Sequence, residues 1–120
     1  MQFRALYWWI DRWRKSSAYA DMTLAEQGAY RNLLDEATLR GGPLPTEDRI
    51  LAKASGDAVE WPKVRRTVLA RFRKTSDGYR NETLDAVLKS TAARAERQAR
   101  YRAKHNGHGL GRFPARRAKR

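Results

Sequence analysis

The sequence predicts a mainly α-helical fold with one small β-hairpin and a basic C-terminal extension. Three observations support this fold class. Apolar residues recur at helical spacing in several segments, each with recognisable start or stop residues. An Asp-Gly pair, Asp77-Gly78, separates two short strand-like runs. Lys and Arg then dominate residues 91–120, where a helix-forming stretch gives way to glycine, proline and arginine.

The aromatic segment 3–15 opens the chain. Its apolar density predicts a short strand or extended lead-in, followed by a helical turn in which Trp9 and Trp13 are four residues apart. Aromatic side chains at this spacing usually pack inward, so we expect both rings in the core. The alternative is an aromatic surface for a partner or for unstacked bases.

A long helix is predicted after Thr23, ending near Arg40. Thr23 and Glu26 form a capping box, in which each side chain bonds the other residue's backbone N–H, and Gly41-Gly42-Pro43 stops the helix. Glycine inside a helix costs about 1 kcal/mol relative to alanine, so Gly28 predicts a helix or aromatic ring packed closely against it. The apolar residues that keep the helical period are Leu24, Tyr30, Leu33, Leu34 and Ala37.

Two shorter helices follow. Thr46-Glu47-Asp48 caps the second helix, and Ser55-Gly56-Asp57 ends it. The third starts near Glu60 or Trp61, with Pro62 in its first turn, where the missing N–H is harmless. The apolar residues of the second helix are Ile50, Leu51 and Ala54. On the third helix one apolar arc holds Trp61, Val64, Val68 and Phe72.

The opposite arc of the third helix is polar and basic. It holds Lys63, Arg66, Thr67, Ala70 and Lys74. Arg65 falls beside the apolar arc, so it must extend its charged end to solvent, pair with an acid or lie past the edge of the core.

A hairpin and a last helix complete the predicted fold. Residues 72–81 form the hairpin around the Asp77-Gly78 turn. The last helix begins around Thr83-Leu84 and continues to about Lys104, with a disordered tail from His105 onward. The inward residues of this helix are Leu84, Val87 and Leu88. We therefore expect a domain at 1–90, a basic helical extension at 91–104 and a disordered basic tail at 105–120.

Three helices followed by a hairpin is the order of a winged helix, a helix-turn-helix variant whose third helix usually reads the major groove. The sequence also resembles the YdaU-like domain of unknown function, which recurs in phage and prophage replication-region proteins. The matching segments are Leu6-Tyr7-Trp8, residues 23–34, residues 41–48, Glu60-Trp61, residues 68–72, residues 77–81 and Leu84. The resemblance covers roughly residues 4–90 and implies a winged-helix-like domain that often leads a replication-initiator protein. Longer members continue into a second domain, whereas in this sequence we expect only a basic helix and tail to follow.

The charge distribution indicates a polyanionic partner. Residues 91–120 hold ten bases and one acid, a net charge of +9, whereas residues 1–90 hold 16 bases and 12 acids, a net charge of +4. A nearly balanced body with a basic arm is typical of nucleic-acid binding.

The candidate DNA-binding residues form two sets. The first lies on the third helix and the hairpin: Lys63, Arg66, Thr67, Arg73, Lys74 and Arg80. The second lies on the last helix and the tail: Arg94, Arg97, Arg100, Tyr101, Arg102, Lys104, Arg112, Arg116 and Arg117. The second set predicts binding to phosphates with little sequence dependence. The alternatives are an ordinary solvated helix face for the first set and a solubilising tail for the second.

The sequence predicts no enzyme, no metal site and no cofactor. His105 and His108 have no cysteine or carboxylate close by in the sequence, so they do not complete a tetrahedral metal site. Adjacent acids such as Asp35-Glu36 point to different sides of a helix and do not form an acid–base pair. With no cysteine, no signal peptide and no long apolar run, we expect a cytoplasmic, nucleoid-associated protein that does not bind a membrane.

These observations favour a non-enzymatic DNA-binding protein of phage or prophage type, acting in replication initiation at an origin. One alternative is a protein-interaction module that recruits or redirects host replication or transcription machinery. The other is an RNA-binding protein that uses the arginine-rich arm. The oligomeric state and the target sequence are not readable from the chain.

Overall fold

The computed structural model describes residues 10–106. As predicted, the chain is mainly helical with one two-stranded antiparallel hairpin. The elements are α1 (Ile10–Arg14), α2 (Ser17–Asp21), α3 (Leu24–Arg40), α4 (Asp48–Ala54), α5 (Trp61–Leu69), β1 (Arg73–Thr75), β2 (Gly78–Arg80) and α6 (Glu82–Asn106). Contacts divide the chain into a first unit that ends at Leu88 and a second that begins at Lys89. No helix within residues 10–106 is long and apolar enough to cross a bilayer.

The two short helices at the start carry the aromatic side chains onto the core. Trp13 is half-buried and stacks on Tyr30, with ring centroids 6.0 Å apart, while the ring of Tyr19 meets Trp13 edge-on at 5.7 Å. The predicted inward packing of Trp13 is therefore confirmed. Trp9 and the predicted extended lead-in lie outside the described residues. Helix α2 was not predicted; its signal is Ser16, whose hydroxyl caps the helix by accepting from the Tyr19 N–H at 3.1 Å.

Helix α3 confirms the predicted capping box and boundaries. The Thr23 N–H donates to Glu26 Oε1 at 2.8 Å, the Glu26 N–H donates to Thr23 Oγ1 at 3.2 Å, and Gly41 ends the helix in the left-handed conformation with φ 69°. Four of the five predicted apolar positions are buried: Tyr30, Leu33, Leu34 and Ala37.

Two expectations for α3 are wrong. Leu24 is 85% exposed, because it lies at the first position of the helix, ahead of the turns that meet the core. Gly28 is also exposed, and apart from its own neighbours along α3 no described residue comes within 4 Å of where its Cβ would stand. The helical period identified the right face over the central turns of α3 and failed only near its N-terminus.

The predicted apolar residues of α5 pack inward, whereas on α4 Ile50 and Ala54 are only half-buried. Leu51 is fully buried, Trp61 is only 1% exposed, and Val64 and Val68 are buried. Phe72 is also in the core, but it lies beyond the end of α5 at Leu69 rather than on the helix. The second-helix cap differs from the prediction, because Glu47 takes the N-cap position without a side-chain hydrogen bond.

The hairpin pairs Arg73 with Arg80, Lys74 with Tyr79 and Thr75 with Gly78. Its two connecting residues are Ser76 and Asp77, one position earlier than the predicted Asp-Gly turn, because Gly78 is already the first residue of β2. Gly78 has φ 133°, and a Cβ there would stand 2.0 Å from the carbonyl oxygen of Leu44. That close approach explains why glycine is needed at this position.

A single bridge joins the α3–α4 connection to the hairpin. The Tyr79 N–H donates to the Leu44 carbonyl at 2.8 Å, and the Leu44 N–H donates to the Tyr79 carbonyl at 2.9 Å. Leu44 is fully buried, so the bridge is anchored in the core of the first unit.

Buried Asn81 connects the hairpin to the start of α6. Its side-chain amide donates to the Tyr30 hydroxyl at 3.1 Å and to the Arg71 carbonyl at 3.0 Å, and its carbonyl accepts from the Leu84 N–H at 2.9 Å. Leu84 is buried and Val87 and Leu88 are half-buried, as predicted. Helix α6 ends at Asn106, two residues beyond its predicted end, so His105 is helical rather than part of the tail. The rest of the predicted disordered tail lies outside the described residues.

Candidate functional site

The exposed face of α5 brings together the residues predicted on it. Lys63, Arg66 and Thr67 are exposed, while Trp61 and Val68 on the other side of the helix are buried. Ordinary helical spacing produces this arrangement, since the two sets occupy opposite arcs. The structure thus presents a short basic surface on α5.

Acids lie beside this surface and reduce its positive charge. Lys63 Nζ lies 3.3 Å from Glu60 Oε1. The pKa of the Glu26 carboxyl is lowered, chiefly by the backbone N–H of Thr23 and further by the hydroxyl of Thr67. Arg66 has no acidic partner among residues 10–106, so it is the cation of α5 most available to an anionic ligand.

The hairpin cations differ in how they are held. Arg73 and Arg80 face each other across the strands, and each lies close to an acid of α6: Glu82 at 3.8 Å from Arg73 and Asp85 at 3.6 Å from Arg80. Like charges directly opposite in a hairpin repel, and the two acids offset that repulsion. Lys74 is exposed and has no acidic partner in the described part of the chain.

Arg65 lies next to α5's basic surface but is held by α4. Its Nε lies 2.6 Å from Asp48 Oδ1, which confirms the predicted pairing with an acid. The same carboxylate oxygen accepts from the Trp61 indole N–H at 2.9 Å. Hydrogen bonds from Trp61 and then Arg65 lower the pKa of Asp48.

In the second unit, α6 presents a basic face free of acids over its described length. Arg94, Arg97, Tyr101 and Lys104 recur at helical spacing and are exposed, as predicted. A shallow groove on this face is lined by Arg94, Arg97, Gln98, Tyr101 and Arg102. Glu96 points away from this face and pairs with Arg100, which lies at its edge, three residues from Arg97 and four from Lys104. Arg100 was predicted in this set, and it lies beside the groove residues with its charge offset by Glu96.

Tyr101 gives the basic face an aromatic centre. Its ring is 63% exposed and stacks on the ring of His105, with centroids 3.8 Å apart. The predicted tail residues Arg112, Arg116 and Arg117 lie outside the described residues.

One arginine was missed by sequence reasoning. Arg71 donates from Nη1 to Ser17 Oγ at 2.6 Å, and its Nη2 lies 3.7 Å from Asp21 Oδ2. Its side chain is only 29% exposed, which is low for an arginine. Both partners lie far from it in the sequence, so local patterning carried no signal for this contact.

The exposed cations of α5, the hairpin and α6 could bind anions. Within residues 10–106, no three or more His, Cys, Asp or Glu side chains are grouped so that they could hold a metal ion.

The comparisons with known proteins identify a family. A family model described as "Protein of unknown function (DUF1376)" matches residues 8–89, which confirms the resemblance to a domain of unknown function. No curated protein and no solved structure gives a significant match to the chain.

Proposed function

The chain belongs to the DUF1376 family of proteins of unknown function, and we propose that it is a winged-helix protein that binds duplex DNA without catalysing a reaction. Two separate sets of residues support the proposal. One is the exposed face of α5 with the hairpin, and the other is the basic face of α6.

The order of elements supports the winged-helix part. Helices α3, α4 and α5 precede the β1–β2 hairpin, as three helices precede the wing in that fold. In winged helices a short strand between the first two helices joins the sheet of the wing. The Leu44–Tyr79 bridge lies at the corresponding place, between α3 and α4, and pairs with the returning strand β2. On this assignment α5 is the helix that enters the major groove.

The observation that carries the DNA-binding part is the acid-free basic face of α6. Arg94, Arg97, Arg102 and Lys104 are exposed there without a carboxylate between them. Closely spaced cations along one side of a helix neutralise successive phosphates and release counterions, whatever the base sequence. This face therefore supplies affinity rather than specificity.

Specificity in this proposal comes from α5. Arg66 is exposed and lacks an acidic partner among the described residues, so its guanidinium is available for a bidentate contact to guanine. Lys63 and Thr67 lie beside it but already interact with Glu60 and Glu26. Arg66 is thus the residue of α5 on which base reading depends most.

We extend the proposal to replication initiation at a phage or prophage origin, because the YdaU-like domain recurs in proteins of phage and prophage replication regions. An RNA-binding role is the second candidate. It is favoured by Tyr101, since an exposed ring on a basic face can stack on an unpaired base.

Fluorescence anisotropy of a labelled duplex at a series of salt concentrations tests the proposal. The variants are Arg97→Gln, in the groove of the basic face, and Arg100→Gln, the matched control that removes the same charge from the same helix where Glu96 already offsets it. If Arg97 contacts a phosphate, Arg97→Gln lowers the magnitude of the salt slope by about 0.9. Arg100→Gln leaves the slope close to that of the parent protein.

The competing outcomes are distinct. Equal loss of duplex binding in both variants indicates general charge attraction and contradicts a defined face. Tighter binding to single-stranded RNA than to duplex, lost in Tyr101→Ala, supports the RNA-binding role instead. No binding to any nucleic acid overturns the proposal and leaves the protein-recruiting alternative.

A further inference from the structure

A polar cleft in the first unit includes two hairpin arginines of the candidate DNA-binding set, Arg73 and Arg80, but the proposal above gives the cleft itself no role. It lies where the α5–β1 junction, the β2–α6 junction and the start of α2 come together. Its volume is about 440 Å³, which is room for a phosphate group and its bound water. Its charged and polar lining includes Arg71, Arg73, Arg80, Tyr30, Ser17 and Glu82.

Three guanidinium groups line this cleft, and their ion pairs are loose. The nitrogen–oxygen distances are 3.7 Å from Arg71 to Asp21, 3.8 Å from Arg73 to Glu82 and 3.6 Å from Arg80 to Asp85. An N–H to oxygen hydrogen bond is normally 2.7–3.2 Å long, so none of these pairs is a close one. Each guanidinium has five N–H donors, and within residues 10–106 Arg71 uses one of its own in the hydrogen bond to Ser17.

Tyr30 adds an unused donor to the same place. The residue is only 8% exposed, and its hydroxyl oxygen accepts from Asn81 at 3.1 Å. Its own O–H has no acceptor among the described residues. Burial raises the pKa of Tyr30, with smaller opposing effects of Asn81 and the Arg71 charge, so the hydroxyl keeps its proton at neutral pH. A buried O–H donor beside an arginine favours an anionic oxygen.

The start of α6 completes the arrangement. Glu82 and Thr83 line the cleft at the first two positions of this long helix, where backbone N–H groups have no partner within the helix. The positive end of the helix dipole adds to the three arginines. Glu82 is the acid of the described lining, and Asp21 and Asp85 lie beside Arg71 and Arg80, so each arginine faces one acid at a distance too long for a hydrogen bond.

We propose that this cleft binds one phosphate group, held by Arg71, Arg73 and Arg80 with the Tyr30 hydroxyl as a neutral donor. The phosphate is either a free phosphate or a phosphodiester of the DNA backbone. Only the second source rests on the proposed function. In that case the cleft fixes one backbone phosphate beside the hairpin and so sets how the first unit is positioned on the duplex.

The test follows the arginine Nε–H resonances of the ¹⁵N-labelled full chain during titration with inorganic phosphate. Sodium chloride at matched ionic strength provides the reference. We expect the Arg71 and Arg80 resonances to shift along a saturating curve that chloride does not produce. Arg80→Gln and Tyr30→Phe each remove one charge-assisted hydrogen bond, so each should weaken phosphate binding by about tenfold or more. Arg40→Gln, a matched control on α3 outside the cleft lining, should leave phosphate binding unchanged.

Thermal melts first establish that each variant is folded. If Tyr30→Phe does not fold, Arg80→Gln alone tests the inference. Shifts that follow ionic strength only, or an Arg40→Gln variant as weak as Arg80→Gln, would overturn the inference. If a DNA duplex displaces phosphate and binds Arg80→Gln less well than the parent, the ligand is a phosphate of the DNA backbone. If the duplex does not displace bound phosphate, the ligand is free phosphate. If duplex binding depends on α6 and phosphate produces no saturable shift of the cleft arginines, the cleft inference fails while the DNA-binding proposal stands. Saturable phosphate binding without any duplex binding contradicts the DNA-binding proposal alone.

Discussion

Asp48 and Trp61 join the first residue of α4 to the first residue of α5 by a hydrogen bond of 2.9 Å from the indole N–H to Oδ1. Trp61 is almost completely buried, and Arg65 contacts the same carboxylate oxygen from the next turn of α5. Since α4 and α5 are the two helices of the proposed helix-turn-helix, this contact helps to fix the angle at which α5 is presented.

Asp48→Ala should destabilise the protein by about 1–3 kcal/mol, because it leaves the buried indole N–H of Trp61 without its acceptor. Urea unfolding followed by tryptophan fluorescence measures the change. Glu47→Ala is the control, since the Glu47 side chain makes no capping hydrogen bond and its ion pair within residues 10–106 is with exposed Arg49. Equal losses in the two variants would contradict the role assigned to Asp48.

The same contact predicts a pH dependence. The pKa of Asp48 is lowered in the folded protein by Trp61 and Arg65, and the pKa of Glu26 is lowered chiefly by the Thr23 N–H. A carboxyl whose pKa falls on folding stabilises the fold above its unfolded pKa of about 4. That contribution disappears as the pH drops through the lower, folded value. The difference in unfolding free energy between the parent and Asp48→Asn should therefore shrink below about pH 4, and an unchanged difference down to acid pH would refute the linkage.

Gly78→Ala and Gly28→Ala should act in opposite directions. At Gly78 an alanine Cβ meets the Leu44 carbonyl oxygen at a positive φ, so we expect a loss of about 1–3 kcal/mol or more. Gly28 lies on an exposed part of α3, where alanine has the better helix propensity, so we expect a gain of about 0.5–1 kcal/mol. Thermal melts of the two variants provide the comparison. A destabilised Gly28→Ala would reveal a contact at that glycine and revive the expectation of close packing there.

Asn81→Asp and Asn81→Ala separate the two uses of this buried amide. Aspartate keeps the oxygen that caps α6 at the Leu84 N–H but removes the donors to Tyr30 and Arg71. Alanine removes both, and loss of the cap alone costs about 1 kcal/mol. We expect both variants to be less stable than the parent in urea. Circular dichroism should show loss of helix only in Asn81→Ala, and helix loss in both would mean that the cap is not the oxygen's main contribution.

Local patterns predicted the helices well because their causes are local. The capping box of Thr23 and Glu26, the stop at Gly41 and the buried face of α5 each depend on residues three or four positions apart. The sequence also restricted Arg65 to three arrangements, one of which the structure confirms. It did not identify Asp48 as the partner, because that choice depends on how α4 and α5 pack.

The wrong and missed predictions concern positions and contacts that depend on tertiary packing. Leu24 has the right period but lies ahead of the core, and Gly28 is a glycine for which the described residues show no packing reason. The contact of Arg71 with Ser17, and with it the cleft, joins residues from opposite ends of the first unit. Helical spacing found the basic face of α6, but the pairing of Arg100 with Glu96, four residues earlier, was overlooked.

The bridge between Leu44 and Tyr79 also bears on the order of folding. The β1–β2 hairpin closes through a two-residue connection, whereas the bridge closes a loop that contains α4, α5 and β1. Longer loops lose more conformational entropy on closure, so we expect the bridge to form after the hairpin and late on the folding pathway. A contact absent from the folding transition state affects mainly the unfolding rate. The part of the Gly78→Ala loss that comes from the approach to Leu44 should accordingly appear in stopped-flow experiments as faster unfolding.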